Sequence, residues 1–146
     1  MIKAIQDKIN QLKKVQKNLS NSVLGAVKDY EAEILDLNTD DQLFQKGIDS
    51  EGRRIEPGYR PLTIQIKRSK GQPTNRVTLK DTGSFHNSFA IEFQNDGFAI
   101  VTDDNKTKKI ERKYGNKIAG LTDENLQEVI EMLKPDLIEN IQKQIL

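Results

Sequence analysis

The sequence predicts an α+β fold: a long N-terminal helix, a small mostly antiparallel sheet with a hairpin over residues 88–102, and two or three C-terminal helices. Three observations lead there. Apolar residues recur at helical steps through the first 37 positions, an Asp-Gly dipeptide divides two β-rich runs, and helical periodicity returns behind a threonine near the C-terminus. The 146 residues fit a single domain, 1–146, and a chain of this length can bury roughly two-thirds of the surface its unfolded form exposes. Hydrophobic residues make up 35% and charged residues 31%, which suits a thin layered structure or a protomer that completes its core against neighbours.

Residues 1–38 form the helical N-terminal segment. Ile2, Ile5, Ile9, Leu12, Val15, Leu19, Val23, Val27, Tyr30, Ile34 and Leu37 recur at steps of three and four, with lysine and glutamine between them. The stripe is near-heptad. A helix lying on its own sheet is the expected arrangement, and a coiled-coil seam between protomers is the alternative. Ser20-Asn21-Ser22 and Gly25 weaken the propensity and mark a place where the helix could divide, a serine capping the second part. Residues 39–61 read as an extended arm or loop, since Asp40-Asp41, Gly47, Asp49-Ser50-Glu51-Gly52, Pro57-Gly58 and Pro61 are turn formers. So long a polar connection fits an arm reaching a neighbouring subunit, with Asp41, Phe44, Arg53, Arg54 and Tyr59 as candidate interface residues.

Residues 62–104 read as the sheet. Leu62, Ile64 and Ile66 alternate with Thr63, Gln65 and Lys67, the pattern of a half-buried strand, and Val77 and Leu79 continue it briefly. In the 88–102 hairpin, a turn at Asp96-Gly97 sets Phe93 opposite Ile100 and Ile91 opposite Thr102, on a single face. Residues 105–146 return to helix. Thr107–Tyr114 form a short basic helix stopped by Gly115; Thr122 then caps a helix with Asp123 and Glu124 in its first turn and Leu126, Val129, Ile130 and Leu133 as its stripe. Pro135 should break or kink that helix, and Leu137, Ile138, Ile141 and Ile145 resume the stripe.

The composition closes most catalytic routes. There is no cysteine, so disulfides, thiolate metal sites and thiol nucleophiles are absent. The one histidine, His86, has only Ser84 and Ser88 nearby in sequence as nucleophile candidates, and a lone histidine more often packs than catalyses. Asp36, Asn38 and Asp40 imitate an EF-hand opening, but the sixth position is Asp41 rather than glycine and the twelfth is Gly47 rather than glutamate; a capped helix end is the better reading. No phosphate-cradling glycine loop occurs, and Asp103-Asp104 reads as a solvated turn rather than a hydrolase's carboxylate pair. The first residues lack the apolar run of a signal peptide and no window approaches the ~20 apolar residues of a membrane span, so a soluble product without membrane contact is expected. No catalytic, cofactor-binding or metal-binding residue is assigned.

Net charge is +1, but it is distributed in blocks: residues 1–28 carry +5, 29–52 carry −7, 53–80 carry +7, 81–105 carry −5, 106–120 carry +5 and 121–146 carry −4. Such blocks either steer identical subunits into register or are simply solvated faces. Lys67, Arg68, Lys70, Lys108, Lys109 and Arg112 are the candidate DNA-facing residues, through sequence-blind phosphate contacts.

One longer stretch is more particular. Lys67 to Ser88 reads KRSKGQPTNRVTLKDTGSFHNS; Gly52 and Tyr59-Arg60-Pro61-Leu62-Thr63 precede it, and Tyr114-Gly115, Ile118 and Gly120-Leu121-Thr122 follow. In this order, over roughly residues 45–140, the chain resembles the virion-morphogenesis proteins of tailed phages, the small tail-completion or head–tail connector subunits of the neck. Thr82-Gly83 and Ser88 match the family's Thr-Gly element and its following serine, and with Asp81 before them they form the structural motif; Phe85 replaces a usual aliphatic residue, and Ile118-Ala119-Gly120-Leu121 follows an arginine-bearing stretch only loosely. The resemblance implies an α+β subunit that forms a homo-oligomeric ring between head and tail, contacting portal, neck or tail proteins. It implies no enzymatic activity and no cofactor, and a place in the virion after assembly in the host cytoplasm. The residues alone assign Asp81-Thr82-Gly83 a plainer role, capping one helical turn that turns Phe85 and Phe89 into the core.

Overall fold

The computed structural model describes residues 2–95 and 97–145, and most of them are helical. Helix α1 runs unbroken over Ile2–Asp29. Neither the serines nor Gly25 divide it: Ser22 donates its hydroxyl to the Asn18 carbonyl one turn back, at 2.9 Å, which satisfies it within the helix. The interruption comes at Tyr30, after which α2 (Glu31–Asp36) leads into a π-helical segment, Leu37–Lys46. About a third of the expected arm, residues 39–46, is therefore helix. Beyond it the chain folds back on the body, where Ile48 bridges Arg54 and Ile55 is buried. The polar stretch that opens the expected arm is helix rather than loop because Asn38, Thr39 and Gln42 are buried, hydrogen-bonded positions rather than solvated ones.

The expected strand at 62–67 is also helix: α3 spans Pro61–Ser69. Proline suits the first helical position, where its missing N–H is no loss. The far end is a Schellman closure, with Gly71 N–H donating to Arg68 O at 3.1 Å, Gln72 N–H to Lys67 O at 2.9 Å, and Gly71 left-handed at φ +70°. Leu62 and Ile66, one turn apart, face solvent, while Lys67 is buried. Three alternating residues were too short a sample to outweigh the proline and glycine that bracket the helix. Val77 and Leu79 belong to no strand; Val77 enters the core from irregular chain.

A single turn, α4 (Ser84–Asn87), precedes the one sheet among the described residues, formed by β1 (Phe89–Gln94) and β2 (Gly97–Thr102). The hairpin is present, but in a different register: Phe93 faces Phe98, Ile91 faces Ile100, and Gln94 faces Gly97. Gly97 is therefore the first residue of the second strand rather than part of the turn. Of the two residues between the strands, Asp96 lies outside the described residues. The shift is by two positions, so the same side chains still share one face.

Helix α5 spans Thr107–Tyr114 and ends at Gly115, and α6 spans Asp123–Ile145. Thr122 accepts the Asn125 N–H at 3.1 Å as its cap. Pro135 does not end α6, which continues to Ile145; the side chain of Ile145 lies outside the described residues. Two apolar clusters hold these elements together. Ala26, Val27, Ile34, Ile91, Val129 and Leu133 form the first, and Leu43, Ile55, Val77, Phe85, Phe89 and Ile118 the second. Leu35 and Ile100 pack against both. Only the second half of α1 takes part; it lies on α6 rather than along the sheet.

Candidate functional site

The most constrained polar site is a clasp between the π-helical segment and the chain entering α6. Asn38 donates its amide to Ile118 O at 3.0 Å and accepts the Gly120 N–H at 2.8 Å. Gln42 donates to Gly120 O at 2.9 Å and accepts the Thr122 N–H at 3.0 Å. Two side-chain amides thus bond alternate residues 118, 120 and 122 as a neighbouring strand would. Asn125 closes the network from the first turn of α6, donating to Gln42 Oε1 at 2.9 Å and to Asp41 Oδ2 at 3.0 Å. Burial pushes the Asp41 carboxyl up, but hydrogen bonds from Asn125 and Lys46, with the charge of Lys46, hold it below its usual range. None of this was legible as a motif, because the partners are about eighty residues apart. Asn38 does not belong to a capped helix end, as the sequence suggests, but sits inside continuous helix, and among the described residues no cluster of potential metal ligands is present.

His86 borders a surface cavity of about 520 Å³, lined also by Asp36, Asp40, Lys80 and Asn87. Its Nε2 lies 2.8 Å from the Thr78 carbonyl, so the ring donates there. Burial pushes its pKa below 6.5, the Thr78 bond and Asp40 oppose this, and Lys80 adds to it. Ser88 donates its hydroxyl to Phe85 O at 2.6 Å, and the Ser84 N–H donates to Thr82 Oγ1 at 3.4 Å; neither serine hydrogen-bonds His86. No nucleophile–base pair therefore forms between His86 and either serine. Asp104 accepts the Lys106 N–H at 2.8 Å and so initiates α5.

The other sequence-predicted residues divide by exposure. Arg53 and Arg54 are exposed, and Arg54 donates to Asn75 O at 2.7 Å. Phe44 is half-buried beneath two cations, Lys80 at 4.8 Å and Arg76 at 5.8 Å from its ring centre. Tyr59 is likewise half-buried, its hydroxyl accepting the Thr78 N–H at 2.9 Å, so it is a packing residue first. Asp41 serves the clasp. The structure overturns Lys67 as a DNA-facing residue: it is buried, with Nζ 4.7 Å from the Tyr59 ring centre and donating to Lys80 O at 3.3 Å. Lys70 is tied to Asp81 at 2.9 Å, and Gln72 donates to the same carboxylate at 3.1 Å; these bonds, with Lys70's charge, hold the Asp81 pKa low. Gly83, at φ +93°, begins α4, and Phe85 and Phe89 both enter the core with rings 5.2 Å apart. Arg68, Lys108, Lys109 and Arg112 remain exposed, and among the described residues none of these four lies within ion-pair distance of a carboxylate.

One exposed feature is larger than any of these. Every residue of α1 from Ile2 to Lys17 is exposed, its apolar stripe included. Among the described residues, no helix is long and apolar enough to cross a membrane. No family model, curated protein or solved structure matches this chain.

Proposed function

We propose that this protein is a structural assembly subunit that forms a ring at the neck or upper tail of a tailed-phage particle, joining head and tail components. The observation that carries the reading is the first half of α1. Ile2, Ile5, Ile9, Leu12 and Val15 are between 38 and 86% exposed, on a stretch of helix in which every residue from Ile2 to Lys17 is exposed. An isolated helix of this length is marginal in water, so it is a natural element to become ordered against a partner. The ordered series from Gly52 to Thr122 supports the particle context, since it is there that the chain resembles neck proteins. The role requires no catalytic residue and no cofactor; shape and apolar anchors supply affinity, and the charge blocks fix register. Purified particles probed with an antibody to the chain test the proposal. The protein is expected in every virion, and its loss should leave filled heads and unattached tails. Normal particles assembled without it would overturn the reading.

A second reading is favoured by α5, where Lys108, Lys109 and Arg112 project from one short helix without carboxylate partners among the described residues. There the protein contacts DNA phosphates, as a subunit lining a DNA passage would. Replacing all three by glutamine should lower the slope of log affinity for duplex DNA against log salt by about 1 per residue removed. Binding that is absent at low salt, or a slope unchanged in the triple variant, would exclude this role for α5.

A further inference from the structure

The overhang has a definite seam. Ile2, Ile5, Ile9 and Leu12 open a strict three–four repeat that continues through Gln16, Leu19, Val23, Ala26 and Tyr30. The second half of this repeat is already occupied: Ala26 and Val27 are buried against Val129 and Leu133 of α6. The first half presents the same kind of face with nothing upon it, over 16 residues or about 24 Å at 1.5 Å per residue.

Charge decides what fits it. Residues 2–17 carry Lys3, Lys8, Lys13, Lys14 and Lys17 against Asp7 alone. Pairing this segment with its own copy sets a lysine-rich helix against itself; in a parallel pair, Lys8 of one helix falls opposite Lys13 of the other, which is unfavourable. A surface of opposite sign with matching apolar character exists elsewhere on the same chain. Helix α6 carries six acidic residues, Asp123 to Glu139, against Lys134 and Lys143. Its outer side exposes Leu126, Ile130 and Ile138 to between 43 and 48%. Leu126 also rims an apolar depression of about 380 Å³ whose other walls are Phe98 and Ile100 of β2 and Leu121.

We infer that the overhanging half of α1 docks, head to tail, on the Leu126–Ile130 flank of α6 in a second copy of this chain. The inference rests on the self-assembling reading above and names its contact. Each copy offers one arm and receives one, a heterologous contact that closes into a ring when the rotation between copies allows. The lysines of the arm meet the net negative charge of α6, of which Asp123 lies nearest the Leu126–Ile130 flank, and this sets orientation, while the isoleucine–leucine seam meets the depression.

Because the chain has no cysteine, engineered links are unambiguous. Full-length chains bearing only Leu12→Cys and chains bearing only Ile130→Cys are mixed, oxidised and resolved by mass, beside sedimentation of the unmodified protein across concentration. Both positions are exposed, so the fold is not disturbed. Expected is a linked pair joining one chain of each kind, concentration-dependent association of the unmodified protein, and at least a tenfold weakening of that association by Leu12→Asp with an unchanged Tm. Links formed by the Leu12→Cys chain alone would show the arms pairing with each other and overturn the contact, as would a protein that stays monomeric at all concentrations. Recovery of the protein from virions without the mixed link refutes this docking and leaves the neck reading standing. The mixed link in solution, with no protein in virions, refutes the neck reading alone.

Discussion

At the scale of single residues, two groups convert the structure into measurable stability. His86 is the one histidine, so a stability change that depends on it between pH 7 and 5 can be isolated by one substitution. Burial depresses its pKa below the ordinary 6.5, so the unfolded chain binds more protons as pH falls through that value. Its contribution is fully present above pH 6.5 and is lost progressively below it. Denaturation midpoints should decline as pH falls below that value, and His86→Gln, which keeps a donor for the Thr78 carbonyl, should flatten the decline. An unchanged slope in the variant would show that the ring is not desolvated. Gln42 is the second group. Its loss strands the Gly120 carbonyl and the Thr122 N–H, both half-buried. Gln42→Ala should therefore cost about 3 kcal/mol, a fall of roughly 6–12 °C in Tm measured by calorimetry. A change within about 0.5 kcal/mol, the scale of a surface substitution, would mean that water replaces those bonds.

At the scale of elements, the two halves of α1 should behave as different objects. Removing residues 2–17 takes away no core contact, so Tm should stay within about 2 °C while far-UV helicity falls by the share of those residues. A large drop in Tm would show that the overhang packs on its own chain. The same contrast separates what the sequence made legible from what it concealed. Continuous periodicity identified α1 and α6, and the threonine with two acids behind it placed the start of α6 at Asp123. Helix α3 was concealed by a three-residue alternation, although Pro61 and Gly71 carried the correct signal at its ends. The hairpin was legible as an element, but its register was not. Asn95-Asp96 and Asp96-Gly97 are both turn dipeptides, and which one is used depends on packing beneath Ile91 and Ile100. The π-helical segment had no local signature, since Asn38, Thr39 and Gln42 look like loop residues until their distant partners are known. The exposure of residues 2–17 was equally invisible, because periodicity shows an apolar face and not what covers it.

At the scale of the whole molecule, the α1–α6 contact and the clasp hold the fold closed. Val27 of α1 packs with Val129 and Leu133 of α6, while the clasp joins residues 38–42 to 118–125. Between them the hairpin serves both apolar clusters, Ile91 entering one and Phe89 the other, with Leu35 and Ile100 touching each. A defect at the α1–α6 contact should thus be felt throughout, rather than fraying one end. Leu133 is 5% exposed, and truncating a leucine this buried removes its transfer energy and leaves a cavity. Leu133→Ala should cost about 2–4 kcal/mol and shift unfolding of the hairpin and of the clasp together, in one transition. Amide exchange read separately at Ala99, whose N–H bonds across the hairpin to Glu92, and at Gly120 checks this. If both lose the same protection, the molecule opens as a unit. If Gly120 keeps its protection while Ala99 loses it, the clasp folds on its own and the two apolar clusters are separable.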